Sequence, residues 1–333
     1  MNILYLYKEE WEKKYVGNRL TGHNISFAEF LENVTADILS SAEVISVFVN
    51  HSIQKEDMDK MPNLKLITTR STGFDHIDIV AAREKNIEVV YVPSYGENTV
   101  AEFAFALLLA LSRKIPEAHE QVTKTGSFNQ SNLRGFDLKG KTIGVIGTGR
   151  IGVRVIKMAK GFDMNVLAYD PFPKKGSDSE LGFEYVGFEE LLNKSDIISI
   201  HSSLSDSTRH MINEKSIKHT KKGAVLINTA RGGLIETSAL VNALKEEIIS
   251  AAGIDVLEEE GDMIDEEKLL INPHPNMEEL KNVLANHYLI DHPRVIITPH
   301  IAFNTDEAVK RILDTTIENI SSFVNGQIKN KVP

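Results

Sequence analysis

Residues 142–152 read Thr-Ile-Gly-Val-Ile-Gly-Thr-Gly-Arg-Ile-Gly, a short apolar run that passes directly into a glycine-rich turn. Apolar side chains then recur at helical spacing, at Val153, Val155, Ile156 and Ala159. A strand, a turn with this glycine spacing and a helix form the opening of a βαβ unit of the dinucleotide-binding type. The stretch therefore predicts an α/β fold with a parallel sheet.

Each glycine of the turn has a predicted task. Gly147 permits the tight turn, Gly149 lets the backbone approach a pyrophosphate, and Gly152 allows the helix to pack closely on the strand. The first turn of the helix, at Arg150 and Ile151, offers unpaired N–H groups and the positive end of the helix dipole to the phosphates. We predict that these five residues bind the cofactor.

Asp170 directly follows the next predicted strand, eighteen positions after Gly152. A carboxylate at this place accepts hydrogen bonds from the adenosine ribose hydroxyls and repels a 2′-phosphate. Asp170 therefore predicts NAD as the cofactor in preference to NADP. Lys174 and Lys175 lie just beyond it, and whether they relax this preference is left open by the sequence.

Short aliphatic and β-branched runs alternate with amphipathic stretches along almost the whole chain. Most runs are continuously apolar, which is typical of parallel strands covered by helices on both faces. The repeated βα units predict the α/β class with doubly wound parallel sheets. The ten predicted strands are Asn2–Tyr7, Val44–Val49, Leu64–Thr68, Val89–Val92, Thr142–Ile146, Asn165–Tyr169, Ile197–His201, Ala224–Asn228, Ala251–Asp255 and Val295–Thr298.

Three further segments have helical patterns. Glu102–Arg113 is strongly apolar, and Thr305–Val324 has apolar residues at helical spacing with Asn325-Gly326 as a stop signal. This last helix has no strand partner of its own, so we expect it to return to the first domain. A shorter helix is predicted near Met277–Leu284, within the acidic and irregular stretch Glu258–His292.

Composition limits the classes of function. The 333 residues carry 47 acidic against 37 basic side chains, a net charge of −10, which disfavours binding of nucleic acid or anionic lipid by charge alone. At roughly 100–200 residues per domain the length predicts two domains. The absence of cysteine excludes disulfides and cysteine-ligated metals, and it fits a reducing compartment. We predict no metal site.

No targeting or membrane segment is predicted. The apolar start Met1–Tyr7 is followed at once by Lys8-Glu9-Glu10, unlike a signal peptide. The longest apolar run, Phe103–Leu111, is shorter than the about 20 residues that a bilayer requires. We therefore expect a cytoplasmic protein with no membrane partner.

Three kinds of reactive side chain follow predicted strands. Arg231 follows one strand, Glu258, Glu259 and Glu260 follow the next, and His300 follows the last. Each alone is more often a solvated or structural residue, but ligands bind beyond the carboxyl ends of parallel strands, where all of them fall. An arginine can clamp a substrate carboxylate, a histidine can give a proton to a ketone oxygen, and a carboxylate can orient that histidine. Together they suit reduction of a 2-keto acid.

Six ordered pieces of the chain match the pattern of one family. They are Thr69–Asp78, Val92–Tyr95 with Val100–Glu102, Gly144–Gly152, Asn228–Gly232, Gly253–Val256 and Thr298–His300. On these pieces the sequence resembles the D-isomer-specific 2-hydroxyacid dehydrogenase family over essentially its whole length. Within that family it is most similar to the branch of the D-lactate and D-2-hydroxyisocaproate dehydrogenases.

The resemblance implies two Rossmann-like domains. A discontinuous, flavodoxin-like substrate domain would comprise residues 1–98 and 302–333, and an NAD-binding domain would comprise residues 99–301. It also implies a homodimer formed through the cofactor domain.

The resemblance also implies roles for individual residues. Arg231, Glu260 and His300 fall on the family's catalytic arginine, glutamate and histidine. Glu260 is chosen because it lies five positions after Asp255, although Gly261 replaces the usual proline and Glu258 and Glu259 are neighbouring candidates. The implied substrate-binding residues are Thr72, Gly73, Tyr95 and Arg231; the implied cofactor contacts are Thr229, Ala230, Asp255, Ser202 and Ser203. The two serines depart from the family's apolar residue and proline.

The activity implied is reversible hydride transfer between NADH and a small 2-keto acid, either pyruvate, giving D-lactate, or a larger homologue. Asn304 departs from the tyrosine often found in the D-lactate branch, which leaves the size of the substrate open. One alternative is a dehydrogenase of the phosphoglycerate, glycerate or glyoxylate type. Another is a non-catalytic NAD-sensing binder, because the family includes transcriptional corepressors.

Overall fold

The chain divides into two compact units, each built on one parallel sheet. In the computed structural model, which describes residues 1–258 and 277–333, unit 1 comprises Met1–Tyr95 with Asn304–Pro333, and unit 2 comprises Gly96–Phe303. Every strand pair in both sheets is parallel. The predicted α/β class with two doubly wound sheets is confirmed.

The elements are numbered along the chain. The strands are β1 (Asn2–Leu6), β2 (Asn24–Ala28), β3 (Val44–Val47), β4 (Leu66–Thr69), β5 (Glu88–Val90), β6 (Thr142–Ile146), β7 (Asn165–Tyr169), β8 (Glu184–Tyr185), β9 (Ile197–Ile200), β10 (Ala224–Asn228), β11 (Ile249–Ile254) and β12 (Val295–Ile297). The helices are α1 (Glu10–Gly17), α2 (Ala36–Ser41), α3 (Lys55–Asp59), α4 (Ile79–Glu84), α5 (Glu97–Arg113), α6 (Ile115–Thr125), α7 (Arg150–Gly161), α8 (Ser177–Leu181), α9 (Phe188–Lys194), α10 (Thr237–Lys245), α11 (Met277–Ile290) and α12 (Asp306–Val324).

Unit 1 has the strand order β2-β1-β3-β4-β5, which is the flavodoxin-like order. The C-terminal helix α12 belongs to this unit and packs Leu313 and Ile320 against Ile3, Tyr5 and Leu66 of the sheet. Its ends also agree with the predicted signals. At the start of the helix, the side chain of Thr305 accepts a hydrogen bond from the Ala308 N–H. Just past the last turn, Gly326 has a φ of +74°.

Unit 2 has the strand order β12-β11-β10-β9-β6-β7-β8. Numbered from its first strand, the central part follows the Rossmann order 3-2-1-4-5-6, with β12 added at one edge. One apolar layer joins α5 and α7 to the sheet, and a second joins α9, α10 and α11 to it. Both faces of the sheet are therefore covered, as the continuously apolar strands predict.

All ten predicted strands are present, and the structure adds β2 and β8. Both added strands lie at sheet edges: β2 alternates polar and apolar residues without a continuous apolar run, and β8 has only two residues. Helix α5 begins at Glu97 rather than Glu102, because its first turn is polar, and α11 extends to Ile290. Among the described residues, no helix combines the length and the apolar character needed to cross a bilayer.

Candidate active site

The sheet of unit 2 brings the predicted site residues to one edge. The last residues of neighbouring strands are in register: Ile146 with Ile200, Ile200 with Asn228, Asn228 with Ile254, and Ile254 with Ile297. Neighbouring strands lie about 4.8 Å apart, so the segments that follow these strands start side by side. Across the edge, in order, come His300 after β12, Asp255 after β11, Arg231 after β10, His201 after β9, Gly147 after β6 and Asp170 after β7.

The glycine turn between β6 and α7 is pressed against the sheet on one side and open on the other. Gly147 has a φ of +92°, and a Cβ there would lie 2.7 Å from the carbonyl oxygen of His201. A Cβ on Gly152 would lie 2.0 Å from the carbonyl oxygen of Gly147, whereas one on Gly149 would meet no atom within 4 Å. This arrangement fits a pyrophosphate that approaches at Gly149 and the first turn of α7. The exposed Arg150 guanidinium lies 3.7 Å from Glu97.

Asp170 is held beside the glycine turn as an anion. Its Oδ2 accepts hydrogen bonds from the Thr148 N–H and hydroxyl, both at 2.8 Å, and its Oδ1 accepts one from the Phe172 N–H at 2.9 Å. Burial acts to raise the pKa of the carboxyl group, but these three hydrogen bonds outweigh burial and lower the pKa. A carboxylate ionised at neutral pH is the group that favours a free ribose diol over a 2′-phosphate. Lys174 and Lys175 are exposed.

The turn that carries Arg231 is fixed by the side chain of Asn228. Its Oδ1 accepts a hydrogen bond from the Ala230 N–H at 3.0 Å, and its Nδ2 donates one to the Arg231 carbonyl at 2.9 Å. Gly232 then packs so closely on the next loop that a Cβ would lie 2.0 Å from the carbonyl of Leu257. Arg231 is half-buried and donates a hydrogen bond to the Ala230 carbonyl at 2.8 Å. The position of its backbone is therefore determined by the sheet edge.

Thr229 offers a polar atom at the same edge. The residue is buried, and its Oγ1 has no hydrogen-bond partner among the described residues. A buried hydroxyl without a partner is costly unless a ligand or water satisfies it. Together with the open side of the glycine turn, Thr229 shows that the residues present fit a bound dinucleotide.

His300 lies in a turn that is organised by Asp255. The histidine has a φ of +53°, a conformation uncommon outside glycine, and its N–H donates to the Asp255 carbonyl at 2.9 Å. The Asp255 carboxylate accepts hydrogen bonds from the Thr298 hydroxyl, the Ile301 N–H and the Ala302 N–H. Burial raises the pKa of Asp255, while these hydrogen bonds and the electrostatic interaction with His300 act in the opposite direction. Asp255 therefore fixes the backbone of the His300 turn, and its predicted contact with the nicotinamide stays a prediction.

Of the three candidate glutamates after β11, the structure describes only Glu258. Glu260 and Glu259 lie outside the described residues. Glu258 is 7% exposed; its carboxylate contacts the His210 ring and accepts a hydrogen bond from the Thr237 hydroxyl at 3.2 Å. This carboxylate is therefore committed to His210 and Thr237, which disfavours Glu258 as the partner of His300.

Two site residues at this edge were not predicted from the sequence. Thr148 bonds Asp170, and His201 follows β9 with its Nε2 at 2.7 Å from the Ser199 hydroxyl. The His201 Nδ1 is buried without a partner among the described residues, and burial lowers the pKa of the ring. His201 is the last residue of the predicted strand Ile197–His201, and this place at a strand end is the signal that the sequence offers. Of the two predicted cofactor contacts next to it, Ser202 is half-buried and Ser203 is exposed.

In unit 1, the predicted substrate loop follows β4. The Thr72 hydroxyl donates to the Val92 carbonyl at 3.0 Å, and the Ser71 hydroxyl donates to the Gly73 carbonyl at 2.6 Å. Within the described part of the chain, the N–H groups of Thr72 and Gly73 have no hydrogen-bond acceptor. The Tyr95 carbonyl accepts a hydrogen bond from Arg311 at 2.6 Å. The loop thus has a fixed shape and two N–H groups suited to an anion.

The fold and this edge define the class of the protein. A Rossmann sheet with its glycine turn, an acidic residue after the second strand, and an arginine and a histidine at the same edge belong to an NAD-dependent oxidoreductase. Residues 105–302 match the family model for the NAD binding domain of D-isomer specific 2-hydroxyacid dehydrogenases. The chain belongs to this family.

Known proteins similar over nearly the whole chain support this assignment. The D-lactate dehydrogenase of Escherichia coli is 35% identical over 332 residues, which cover 98% of each chain. A crystal structure of D-lactate dehydrogenase from Aquifex aeolicus, complexed with NAD and lactic acid, superposes with a TM-score of 0.87 at 36% identity, covering 98% of this chain and 96% of that one. The glyoxylate reductase of Thermococcus litoralis is 37% identical, covering 89% of this chain and 84% of its own.

Proposed function

We propose that the enzyme interconverts pyruvate, or a somewhat larger 2-keto acid, and the corresponding D-2-hydroxy acid, with NADH as the hydride donor. The observation that carries this proposal is the edge of the unit 2 sheet. Arg231 and His300 follow β10 and β12, the two neighbours of β11, and the glycine turn lies two strands from β10. The backbone positions of Arg231, a cation for the substrate carboxylate, and of His300, an acid–base group, are therefore close to the dinucleotide site.

The residues act on different parts of the substrate. The planar Arg231 guanidinium holds the substrate carboxylate with two parallel N–H donors. The His300 imidazole gives a proton to the ketone oxygen in reduction and takes it from the hydroxyl in oxidation. Glu260 is proposed as the carboxylate that orients this imidazole and favours its protonated form. When bound, NADH supplies the hydride.

The two units are proposed to divide this work. Residues 99–301 bind the cofactor through the residues predicted above, and residues 1–98 with 302–333 bind the substrate. In the latter, the N–H groups of Thr72 and Gly73 are proposed as further donors to the substrate carboxylate, and Tyr95 as a wall of the substrate site. The support is the fixed shape of the loop after β4 and its two N–H groups without an acceptor in the described residues.

The test is a panel of substrates assayed by oxidation of NADH. We expect turnover of pyruvate and of 2-keto acids lengthened by one to four carbons, with weaker turnover of glyoxylate and hydroxypyruvate. A preference for glyoxylate or hydroxypyruvate would favour the second candidate, which rests on the similarity to a glyoxylate reductase. Tight NADH binding without turnover of any member would instead identify a non-catalytic NAD-sensing protein.

A homodimer and a cytoplasmic location complete the proposal. Helix α6 buries none of its residues, although Ile115 and Val122 are apolar, and Phe128 just after it is 85% exposed. A second copy of the chain that covers this surface would remove these side chains from water. Light scattering coupled to size-exclusion chromatography checks the mass, and Val122→Glu should shift a dimer towards monomer.

The proposed cytoplasmic location is supported by the absence of cysteine, which fits a reducing compartment.

A further inference from the structure

A chain of hydroxyl groups leads away from the Asp170 carboxylate. The Thr148 hydroxyl lies 2.8 Å from Asp170 Oδ2 and 3.0 Å from the Tyr185 hydroxyl. The Tyr185 hydroxyl lies 3.1 Å from the Ser177 hydroxyl, which donates a hydrogen bond to the Lys174 carbonyl at 2.8 Å. The chain thus connects the glycine turn, the end of β7, strand β8 and the start of α8.

The ionised carboxylate fixes the direction of these hydrogen bonds. Asp170 has no proton to donate, so the Thr148 hydroxyl must donate its single hydrogen to Oδ2. Thr148 is then an acceptor for Tyr185, whose own hydrogen is used in that bond, so the single Ser177 hydrogen is shared between the Lys174 carbonyl and the Tyr185 oxygen. Each bond in such a series polarises the next, which strengthens the last bond, the one to the carboxylate.

The same bonds determine which oxygen of Asp170 remains available. Oδ2 already receives the Thr148 N–H and hydroxyl, which fill its two lone pairs, and Oδ1 receives only the Phe172 N–H. The carboxylate therefore keeps one acceptor position, on Oδ1, and cannot rotate without losing hydrogen bonds. A hydroxyl group can use this position, whereas a phosphate brings only acceptors and negative charge.

We propose that Thr148 and Tyr185 are positioning residues for cofactor selectivity: they hold Asp170 so that Oδ1 receives one ribose hydroxyl of NADH and excludes the 2′-phosphate of NADPH. Selectivity is therefore distributed over the hydroxyl chain rather than carried by Asp170 alone. The proposal rests on the cofactor site and is independent of which keto acid is reduced.

The test compares Thr148→Val, Thr148→Ser and Tyr185→Phe with the unmodified enzyme. Valine keeps the shape of threonine and removes the hydroxyl, whereas serine keeps the hydroxyl. Tyr185 is held by its pairing with Ala168 in the sheet and by an edge-on contact with Phe183 at 4.8 Å, so removal of its hydroxyl spares the fold. The dissociation constants of NADH and NADPH are measured by fluorescence titration without substrate, and thermal denaturation checks folding.

We expect Thr148→Val to reduce the ratio of NADH to NADPH affinity about tenfold, the effect of losing one hydrogen bond to a charged group. Tyr185→Phe should reduce the ratio by a smaller factor, about threefold, because its bond is one step removed. Thr148→Ser, which keeps the hydroxyl, should have the same ratio of NADH to NADPH affinity as the unmodified enzyme. The proposal is overturned if folded Thr148→Val keeps the ratio, or if it loses affinity for both cofactors equally, which would indicate only a distorted turn. Should Thr148→Val fail to fold, an unchanged ratio in Tyr185→Phe overturns it.

Discussion

At the scale of single residues, the site depends on how firmly its turns hold each reacting group. Asn228 fixes the backbone around Arg231, so the guanidinium starts from a defined place. Replacing Arg231 with lysine retains the charge but removes the planar pair of donors. We expect kcat/KM for pyruvate to fall by about 10–100-fold, since hydrogen bonds to charged groups contribute about 1.5–3 kcal/mol.

The matched control for Arg231→Lys is Arg154→Lys, because Arg154 is an exposed arginine on α7. This control should retain the kcat/KM of the unmodified enzyme. Near-normal kinetics of Arg231→Lys on pyruvate and on larger keto acids would remove Arg231 from the proposed mechanism.

His201 predicts a dependence of stability on pH. Burial lowers the pKa of its ring in the folded protein, so the folded state keeps it neutral while the unfolded state takes up a proton below about pH 6.5. The unfolded state then binds more protons, and stability falls as the pH is lowered from 7 to 5. His201→Gln should reduce this loss by about 2 kcal/mol, measured by urea denaturation at the two pH values. An identical loss in the variant and in the unmodified protein would contradict this assignment.

Some residues of the site could be predicted from the sequence, whereas their partners in the fold could not. The positions of Arg231, Asp170 and His300 could be predicted because each directly follows a recognisable strand. The partners of Glu258 could not, since His210 and Thr237 are distant in sequence and only the fold brings them to it. The same holds for Tyr185, which reaches Thr148 across the sheet.

At the scale of elements, the glycine turn depends on close packing of α7 on β6. A methyl group on Gly152 would lie 2.0 Å from the Gly147 carbonyl oxygen, so the helix must move away from the turn. We expect Gly152→Ala to weaken NADH binding at least tenfold, in a fluorescence titration, because the N–H groups of the first helical turn lose their alignment.

Gly161→Ala is the matched control for this prediction. Gly161 closes the same helix, and a Cβ there would meet no atom within 4 Å, so the variant should bind NADH like the unmodified enzyme. Equal NADH affinity in Gly152→Ala and Gly161→Ala would show that the close approach of helix and turn is dispensable.

Elements with a strong apolar pattern could be predicted, whereas weakly patterned ones could not. The central strands of both sheets are buried on both faces and were all recognised from their sequence. The edge strand β2 has no buried residue, and its sequence alternates polar and apolar residues instead of forming the continuous apolar run of the central strands. Helix α6 buries none of its residues either, and its last three residues, Thr-Lys-Thr, are polar.

At the scale of the whole molecule, the chain leaves unit 1 after Tyr95 and returns to it at Asn304. The return is encoded locally, by the Thr305 cap and the apolar stripe of α12, whose burial against β1 and β4 ties the C-terminal segment to the first domain. The assignment of substrate binding to residues 1–98 and 302–333 stays a prediction. Glu260 lies outside the described residues, so its role rests on the family spacing alone.

The configuration of the product made from pyruvate and NADH tests whether the enzyme forms a D-2-hydroxy acid with His300 as its acid–base residue. It is determined by chiral chromatography for the unmodified enzyme and for His300→Ala. The unmodified enzyme should produce D-lactate, and His300→Ala should lose about 10²–10⁴-fold in rate while still binding NADH. Formation of L-lactate would contradict the proposed D-specific activity, and an undiminished rate in His300→Ala would contradict the proposed role of His300.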